Sequence, residues 1–310
     1  MTLKSKHIIL VFAFVVFASC SSNEMDNMVE KTASEIVLST SVEQMSARGA
    51  TNLLETNLSL NNRVAVYINE LTALTPSVTY TQPLQYRVSN SSGDLSPVSG
   101  ITPYYPMNGN YVEIYAFYPY AAAIATSGNF TMSTKQVDKV DYEASDLMSA
   151  NLIGRDESNA LTLSFRHLGS KITYHLTTSQ DNVKLISSKV KVTNVKLSAN
   201  LNPSAGQIVS VLGGESSEIL ISNDGSKDGS GVIFPQTIPA NTRFIEIELL
   251  TKEKVYGVMP TAYTFQAGKA YVFNIDVKVD RDPSVLVLND IQIVDWVDET
   301  PQDIEGERTN

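Results

Sequence analysis

The sequence is poor in the residues that disulfides, metal sites and common catalytic motifs require. It contains one cysteine in 310 residues, which excludes an internal disulfide and a four-cysteine zinc site. It has only three histidines, and no stretch matches a GxGxxG turn, a P-loop, an HExxH helix or a G-x-S-x-G elbow. We therefore predict a protein that is not an enzyme and that holds no cofactor and no metal ion.

Basic residues are also scarce, and long apolar runs are absent beyond the start of the chain. Lys and Arg number 23 against 33 Asp and Glu, which gives a net charge of −10 at pH 7. An acidic chain repels phosphate backbones, so we expect no nucleic-acid partner. After residue 20, no stretch approaches the ~18 uninterrupted apolar residues that a transmembrane helix needs.

The first twenty residues have the layout of a secretory signal. Lys4 and Lys6 come first, the uncharged run Ile8–Phe17 follows, and Ala18-Ser19-Cys20 ends the segment. As a helix this run rises only ~15 Å, about half of a bilayer core, which does not predict a permanent membrane span. The sequence predicts a signal peptide at residues 1–19 and a polar tether at residues 20–33.

The single cysteine lies at the predicted cleavage point. The small-small-Cys ending resembles the bacterial lipobox, although Phe17 stands where Leu, Val or Ile is usual. The lipobox implies that lipid-modifying enzymes attach diacylglycerol and a palmitate-type acyl chain to Cys20, and that signal peptidase cuts before it. Several acyl chains make a stable anchor.

Glu24 and Asp26 resemble the acidic tags of lipoproteins exported to the outer face of the outer membrane. The alternative is an ordinary secretory signal that ends near a cysteine.

From residue 34 onward, hydrophobicity alternates with a period of two, which is typical of strands. In the first such stretch one face carries Ile36, Leu38, Thr40 and Val42. The alternation recurs at residues 63–68, 111–120, 161–165, 172–176, 245–249 and 271–277, with turn-forming clusters between the stretches. At residues 189–197 its phase slips, as a β-bulge would cause. The best helix candidate is short, at residues 140–154. The sequence predicts an all-β fold of two sandwiches, at residues 34–157 and 158–310, divided near residues 156–159.

Three groups of residues could bind a ligand, and each has a structural alternative. His167 and His175 could face each other across a hairpin and hold a metal, but no third ligand is near them in sequence, which favours structural roles. The stretch 224–229 imitates the start of an EF-hand, but Pro235 occupies the position of the bidentate Glu, which favours a hairpin loop. Six tyrosines could stack on sugars or pack a sheet, namely Tyr104, Tyr105, Tyr111, Tyr115, Tyr118 and Tyr120.

Several segments occur in a fixed order along the chain. After the lipobox-like ending they are IVLSTSVEQMSARGAT (36–51), NNRVAVYINE (61–70), YYPMNGNYVEIYAFYPY (104–120), DLMSANLIG (146–154), LTLSFRHLGSKITYHL (161–176), IFPQTIPANTRFIEIEL (233–249), FQAGKAYVFNIDV (265–277) and IQIVDW (291–296). Taken in this order, the segments resemble the fimbrillin family, the type V pilins of Bacteroidales-type bacteria. No single piece is diagnostic, but the ordered set covers nearly all of residues 1–296. The resemblance implies two tandem transthyretin-like β-sandwich domains, exported as a lipoprotein precursor.

The resemblance also implies assembly by strand exchange. In the family a trypsin-like protease cuts after a basic residue beyond the first strand, and Arg48, followed by Gly49, is the matching position. The first strand would then be a plug that a neighbour's strand replaces. Its plug residues are Ile36, Leu38, Thr40 and Val42, with pockets for Ile36, Leu38 and Val42. A possible donor is the C-terminal segment, through Val285, Val287, Ile291 and Ile293. An ordinary closing strand of the second sandwich has the same pattern. Trp296, after this segment, is expected to pack in the core.

These expectations converge on a structural or adhesive subunit of a cell-surface fimbria, with other fimbrial subunits, identical or related, as partners. Without cleavage the chain would keep its lipid and serve as the anchor at the base of a fimbria. The alternative is a monomeric surface lipoprotein that binds glycans through the tyrosine-rich face. An enzyme such as a glycosidase would need a pair of facing carboxylates, which sequence alone does not identify.

Overall fold

The computed structural model of the chain describes residues 33–43, 58–72, 75–78, 83–98, 100–121, 124, 127–154, 160–186, 188–202, 207–213, 215–280, 284–288 and 291–296. These ranges contain helix α1 (Lys139–Ser145) and strands β1 (Leu38–Val42), β2 (Arg63–Thr72), β3 (Thr75–Val78), β4 (Leu84–Val88), β5 (Leu95–Pro97), β6 (Tyr111–Tyr118), β7 (Asn129–Thr131), β8 (Met148–Gly154), β9 (Leu161–His167), β10 (Ser170–Thr177), β11 (Lys189–Val195), β12 (Ser198–Asn202), β13 (Gln207–Val211), β14 (Ser217–Ser222), β15 (Asp228–Ile233), β16 (Thr237–Ile238), β17 (Thr242–Glu248), β18 (Lys254–Met259), β19 (Tyr263–Thr264), β20 (Lys269–Asp276), β21 (Ser284–Val287) and β22 (Ile291–Asp295).

Strands β2 and β6 form the middle of an eight-stranded sheet. Its order is β1-β9-β8-β6-β2-β4-β5, and β3 also pairs with β2. The β2–β6 ladder is antiparallel, with Val66 opposite Ala116 and Ile68 opposite Ile114. These four side chains are buried in one hydrophobic cluster that also contains residues of β1, β4 and β9. Because successive side chains point to opposite faces of a strand, the period-two pattern of these segments places one face in this core.

The second half of the described chain folds as a sandwich of two sheets. Their orders are β15-β10-β20-β22 and β14-β11-β17-β18-β21. Side chains from both sheets share one core cluster, for example Tyr174 and Phe273 from the first sheet and Val192 from the second. The ring of Phe265 lies 5.0 Å from that of Phe244 and contributes to the same core. The predicted all-β sandwich fold is therefore confirmed.

A third core cluster contains residues from both halves of the chain. It includes Phe117 and Leu147 together with Phe234 and Trp296. A short three-stranded sheet, β13-β12-β7, likewise combines an early strand with two later ones. Strand β9, just after the predicted boundary, pairs with β1 and β8 in the first sheet. The boundary near residues 156–159 lies outside the described residues, so the division into 34–157 and 158–310 stays a prediction.

Two local predictions have different outcomes. The predicted β-bulge is confirmed, because the register of β11 against β14 shifts between Thr193 and Val195, and Asn194 has a φ of 60°. The helix predicted over residues 140–154 is wrong beyond its first half, since α1 ends at Ser145 and residues 148–154 form β8. Pairing of β8 with β6 decides the conformation there, because tertiary contacts override a weak local preference.

Candidate functional site: the groove that holds the first strand

Strand β1 pairs in parallel with β9 along its whole length. Leu38 lies opposite Leu161, and Val42 lies opposite Phe165. The ladder continues beyond β1, where the main-chain N–H of Glu43 donates to the carbonyl of Phe165 at 2.7 Å. The paired residues are about 123 positions apart in sequence. One edge of β1 is thus hydrogen-bonded to a strand that is remote in the chain.

The other edge of β1 contacts two loops. The N–H of Ile36 donates to the carbonyl of Pro103 at 2.9 Å, and the N–H of Thr40 donates to the carbonyl of Gly93 at 2.8 Å. Gly93 has a φ of 84°, a conformation that glycine adopts without strain. We call the space between β9 and these two loops the groove. Both edges of the strand that fills it are bonded to the rest of the molecule.

The inward face of residues 36–42, which are β1 and the two residues before it, is the face that the sequence predicts. The inward side chains are all 3 % exposed or less, and they are Ile36, Leu38, Thr40 and Val42. Val37, on the outer face, is 49 % exposed. The hydroxyl of Thr40 donates to the carbonyl of Gly93 at 3.2 Å, which satisfies a buried polar group. The groove therefore has three apolar pockets and one pocket that accepts a small hydroxyl side chain.

The outward serines of β1 meet hydroxyl groups on β9. The Oγ of Ser39 lies 3.0 Å from the Oγ1 of Thr162, and the Oγ of Ser41 lies 3.1 Å from the Oγ of Ser164. Cross-strand hydroxyl pairs of this kind each contribute about 0.2–1 kcal/mol in a sheet. They favour the observed register of β1 on β9. The sequence pattern places these serines opposite the core but does not identify their partners.

Three residues are predicted for lipid attachment and proteolytic processing. Cys20, Arg48 and Gly49 lie outside the described residues, so lipid attachment and cleavage stay predictions. Residues 33–43 are described and residues 44–57 are not. The last described residue before Arg48 is Glu43.

The C-terminal segment named as a possible donor forms edge strands of the second sandwich. Strand β21 pairs in parallel with β18, and β22 pairs antiparallel with β20. Val285, Val287 and Ile293 are 42, 56 and 59 % exposed, and Ile291 is partly buried. Leu288 packs tightly over β18, where a Cβ on Gly257 would lie 2.8 Å from its Cδ2 atom. The segment therefore closes its own sandwich through one face and exposes apolar side chains on the other.

His167 takes part in a buried polar contact at the end of β9. Its Nδ1 atom lies 2.8 Å from the Oδ1 atom of Asp146, and the two side chains are 3 and 5 % exposed. The indole of Trp296 stacks on the imidazole, with ring centroids 3.9 Å apart and planes at 8°. This contact joins the end of β9, the residue after α1 and the residue after β22. His167 and Trp296 thus occupy structural positions, as the sequence favours.

His175 has a different environment, which provides a matched comparison. It contacts Asp228 on β15, but the two side chains are 45 and 73 % exposed. We expect Asp146→Ala to lower the free energy of unfolding by about 1–3 kcal/mol, because the buried imidazole loses this partner. Asp228→Ala should leave the unfolding midpoint nearly unchanged, because water replaces an exposed partner. Urea unfolding of both variants measures the difference, and equal effects would show that burial of the His167 pair is unimportant.

A cleft of about 660 Å³ opens beside the groove. Its lining includes Glu43, His167 and Trp296, together with every residue of β13. Sequence reasoning missed this cleft, because residues 207–211 are not among the predicted strands and no local pattern brings them near β9. Only the tertiary fold places β13 next to the point where β1 ends.

The tyrosine-rich segment does not present a row of rings to solvent. Tyr104 and Tyr111 are 50 and 45 % exposed. Three others are less than 10 % exposed, and they are Tyr105, Tyr115 and Tyr118. Burial raises the pKa of Tyr115 to about 12, and a hydrogen bond with Glu113 adds to this. Half of the six rings are therefore buried, which agrees with the structural alternative and gives no support to a continuous sugar-stacking face.

The other ligand candidates also have structural explanations. Asp224 accepts hydrogen bonds from Ser222 and Ser226, so its carboxylate organises its own loop. This loop connects β14 and β15 in different sheets and is not the predicted hairpin loop. Across the described ranges, no three His, Cys, Asp or Glu side chains are grouped as metal ligands would be. No helix in the described part of the chain has the length and apolar character needed to cross a membrane.

The fold and the groove define a class of protein, an all-β sandwich protein in which a groove holds one strand that is remote in sequence from the segments on both of its edges. The chain belongs to the fimbrillin-like family, which it matches over residues 50–296. This is a family of fimbrial structural and adhesion subunits and not of enzymes. Membership implies a fimbrial location at the cell surface.

Individual relatives agree with this assignment. A Bacteroides uniformis protein assigned as fimbrium subunit Fim1C is 25 % identical over 196 residues, which are 60 % of this chain and 63 % of that protein. The match thus spans less than two thirds of that relative's length. The solved structure of a protein of Bacteroides ovatus assigned to cell adhesion has a TM-score of 0.68 at 19 % identity, covering 87 % of this chain and all of that one. A similarly assigned protein of Bacteroides uniformis has a TM-score of 0.64 at 16 % identity, covering 85 % of this chain and 98 % of that one. The two structures show the shared fold.

Proposed function

We propose that the protein is a structural or adhesive subunit of a cell-surface fimbria and that it assembles by exchange of β1. The observation that carries this proposal is that β1 is hydrogen-bonded along both edges within the groove. Residues near the start of the chain fill a groove whose opposite edges, at β9 and at Gly93 and Pro103, come from the rest of the molecule. A strand held in this way can be replaced by an equivalent strand without refolding the sheets around it.

A groove filled by another strand is lower in free energy than an empty groove. Departure of β1 would expose main-chain N–H and C=O groups on β9 and on both loops. It would also empty the pockets of Ile36, Leu38 and Val42, whose burial contributes on the order of 5–9 kcal/mol at about 1.5–3 kcal/mol each. An open groove is therefore strongly adhesive, and β1 acts as a plug in the precursor.

Cleavage after Arg48 would make the exchange irreversible. It would separate β1 from residues 49–310 and would also separate those residues from a lipid on Cys20. The support for both steps is the sequence pattern, with the lipobox-like ending and the only basic residue between Lys31 and Arg63. An anchored precursor would thereby become a subunit that can polymerise.

The donor strand is proposed to come from the C-terminal segment of another subunit, identical or related. The exposed side chains of Val285, Val287 and Ile293 support this role, because a donor needs apolar side chains that can enter pockets. Without cleavage, the same chain would keep its lipid and anchor the base of the fimbria. These two roles differ in the amino end of the protein found in cells.

Cleavage at Arg48 is tested by sequencing the amino end of the protein recovered from fimbriae. We expect Gly49 as the first residue, because a trypsin-like protease cuts after a basic residue in a connecting segment. The variant Arg48→Ala should keep the longer chain and should not form SDS-resistant ladders, whereas Arg63→Ala, within β2, should not change the amino end. Recovery of an acylated Cys20 from assembled fimbriae would contradict cleavage and would assign the anchor role.

Lipid attachment is tested independently with Cys20→Ser. Labelled palmitate should enter the wild-type precursor and be absent from this variant, because the chain offers no other thiol. The variant should also leave the membrane fraction on cell breakage, since acyl chains supply the anchor. Equal labelling of the two proteins would contradict the lipobox assignment.

A further inference from the structure

The cleft beside the groove is lined along one side by an entire strand. All five residues of β13, from Gln207 to Val211, contribute to its wall. Neighbouring residues of a strand point to opposite faces, so consecutive residues line one cleft only when the strand's edge faces it. In the described part of the chain, β13 pairs with β12 alone. Lining by all five residues therefore indicates that the other edge of β13 borders the cleft.

This edge lacks two of the usual protections of an exposed strand, a charged residue and a proline. Its sequence, QIVSV, contains no charged residue and no proline. The pairing of β12 and β13 is irregular between Asn200 and Leu201, which leaves Val209 as an extra residue, and its side chain is 62 % exposed. A bulge commonly re-aims a side chain. Here an apolar side chain and an uncharged edge border the same cleft.

The cleft is continuous with the groove through one residue. Glu43 hydrogen-bonds to Phe165 at the end of the β1–β9 ladder, and it also lines the cleft. Because β1 runs parallel to β9, any strand that fills the groove in the same direction leaves it at this end. The residues that follow such a strand must start at the mouth of the cleft.

We propose that the cleft binds the continuation of an incoming strand, adding an extended and largely apolar segment of a second subunit to the edge of β13. This inference rests on the proposed strand exchange and extends it with a second binding site. Leu168, Ile208 and Val209 line the cleft and can supply apolar contacts to this segment. Arg166 also lines the cleft. Four residues of extended chain span ~13 Å, enough to follow most of a five-residue strand. The groove and the cleft then bind one continuous segment.

The test uses the full chain with a site-specific protease sequence in place of residues 46–50, so that β1 can be released without the natural protease. After cutting, labelled peptides compete with β1 for the groove. One peptide is residues 34–43, a second adds Thr-Val-Thr-Val after Glu43, and a third adds Gly-Ser-Gly-Ser. Equilibrium competition gives the relative affinity of each peptide. The flexible extension controls for length, since both extensions contain four residues.

The Thr-Val-Thr-Val peptide should bind about tenfold more tightly than the Gly-Ser-Gly-Ser peptide, because it can form strand hydrogen bonds and apolar contacts together. The difference should fall to about twofold or less in Val209→Asp, whose charge lies in the cleft. It should persist in Val140→Asp, a control on α1 at a side chain that is 76 % exposed. These three results together support the second site.

Other results overturn it. Equal affinities of the two extended peptides, with residues 34–43 still bound, leave strand exchange intact and refute the cleft. A tenfold difference that survives in Val209→Asp places the extension elsewhere. A dimer of the uncut chain that Val209→Asp dissociates assigns the edge to self-association instead. Failure of every peptide to enter the groove refutes the proposed function, and the inference with it.

Discussion

Replacing Ile36 and Leu38 with alanine together should lower the free energy of unfolding by at least about 4 kcal/mol. Each side chain is 1 % exposed in the core of the eight-stranded sheet. Truncation of one such side chain costs about 2–5 kcal/mol, from the lost burial and from the cavity that remains. Domains of this size are stable by only about 5–15 kcal/mol, so the pair would remove a large share of the total. Urea unfolding of the uncut chain measures the loss.

The control lies between the two residues. Val37 directly precedes β1 but points outward, and it is 49 % exposed. Val37→Ala should change the free energy of unfolding by about 0.5 kcal/mol or less. A double variant no less stable than Val37→Ala would show that the groove does not depend on its apolar pockets. It would also mean that burial of apolar side chains does not drive the binding of another strand to an emptied groove.

The inward face of β1 could be predicted because it depends only on alternation within one segment. Ile36 and Leu38 repeat at the spacing that a pleated strand imposes, whatever lies next to it. The partner strand could not be predicted in the same way. Strand β9 follows about 120 residues later, and the pairing is parallel, so no turn links the two. The two loops that bond the other edge are equally remote.

Other residues show where local patterns stop being informative. Residues 148–154 mix helix formers with turn residues, and only their pairing with β6 makes them a strand. His167 could be assigned a structural role from the lack of nearby ligands, but its contact with Asp146 and Trp296 joins three separate parts of the chain. Strand β13 and its cleft carried no usable signal, since a short uncharged strand has no distinctive pattern.

A disulfide between β1 and β9 should abolish assembly while leaving the fold intact. The side-chain oxygens of Ser39 and Thr162 lie 3.0 Å apart on paired strands at the outer face. Cysteines at both positions can therefore form a disulfide, whose sulfurs are about 2.0 Å apart, with small adjustments. Cys20→Ser in the same chain removes the only competing thiol. The locked chain can still be cut after Arg48, but its plug cannot leave.

The matched controls are the single variants Ser39→Cys and Thr162→Cys, each with Cys20→Ser. They carry the same local changes without the crosslink. Both should assemble after cleavage as efficiently as the protein with Cys20→Ser alone, under oxidising and reducing conditions. Loss of assembly in a single variant would assign the effect to the substitution and not to the lock.

The most direct test of plug exchange is the ladder formed by the cut double-cysteine chain in SDS gels, before and after reduction. Strand exchange predicts monomers alone while the disulfide is intact, and SDS-resistant ladders once a reductant frees β1. Ladders of equal extent from the oxidised chain would mean that subunits associate while β1 remains in its groove, which contradicts the exchange mechanism.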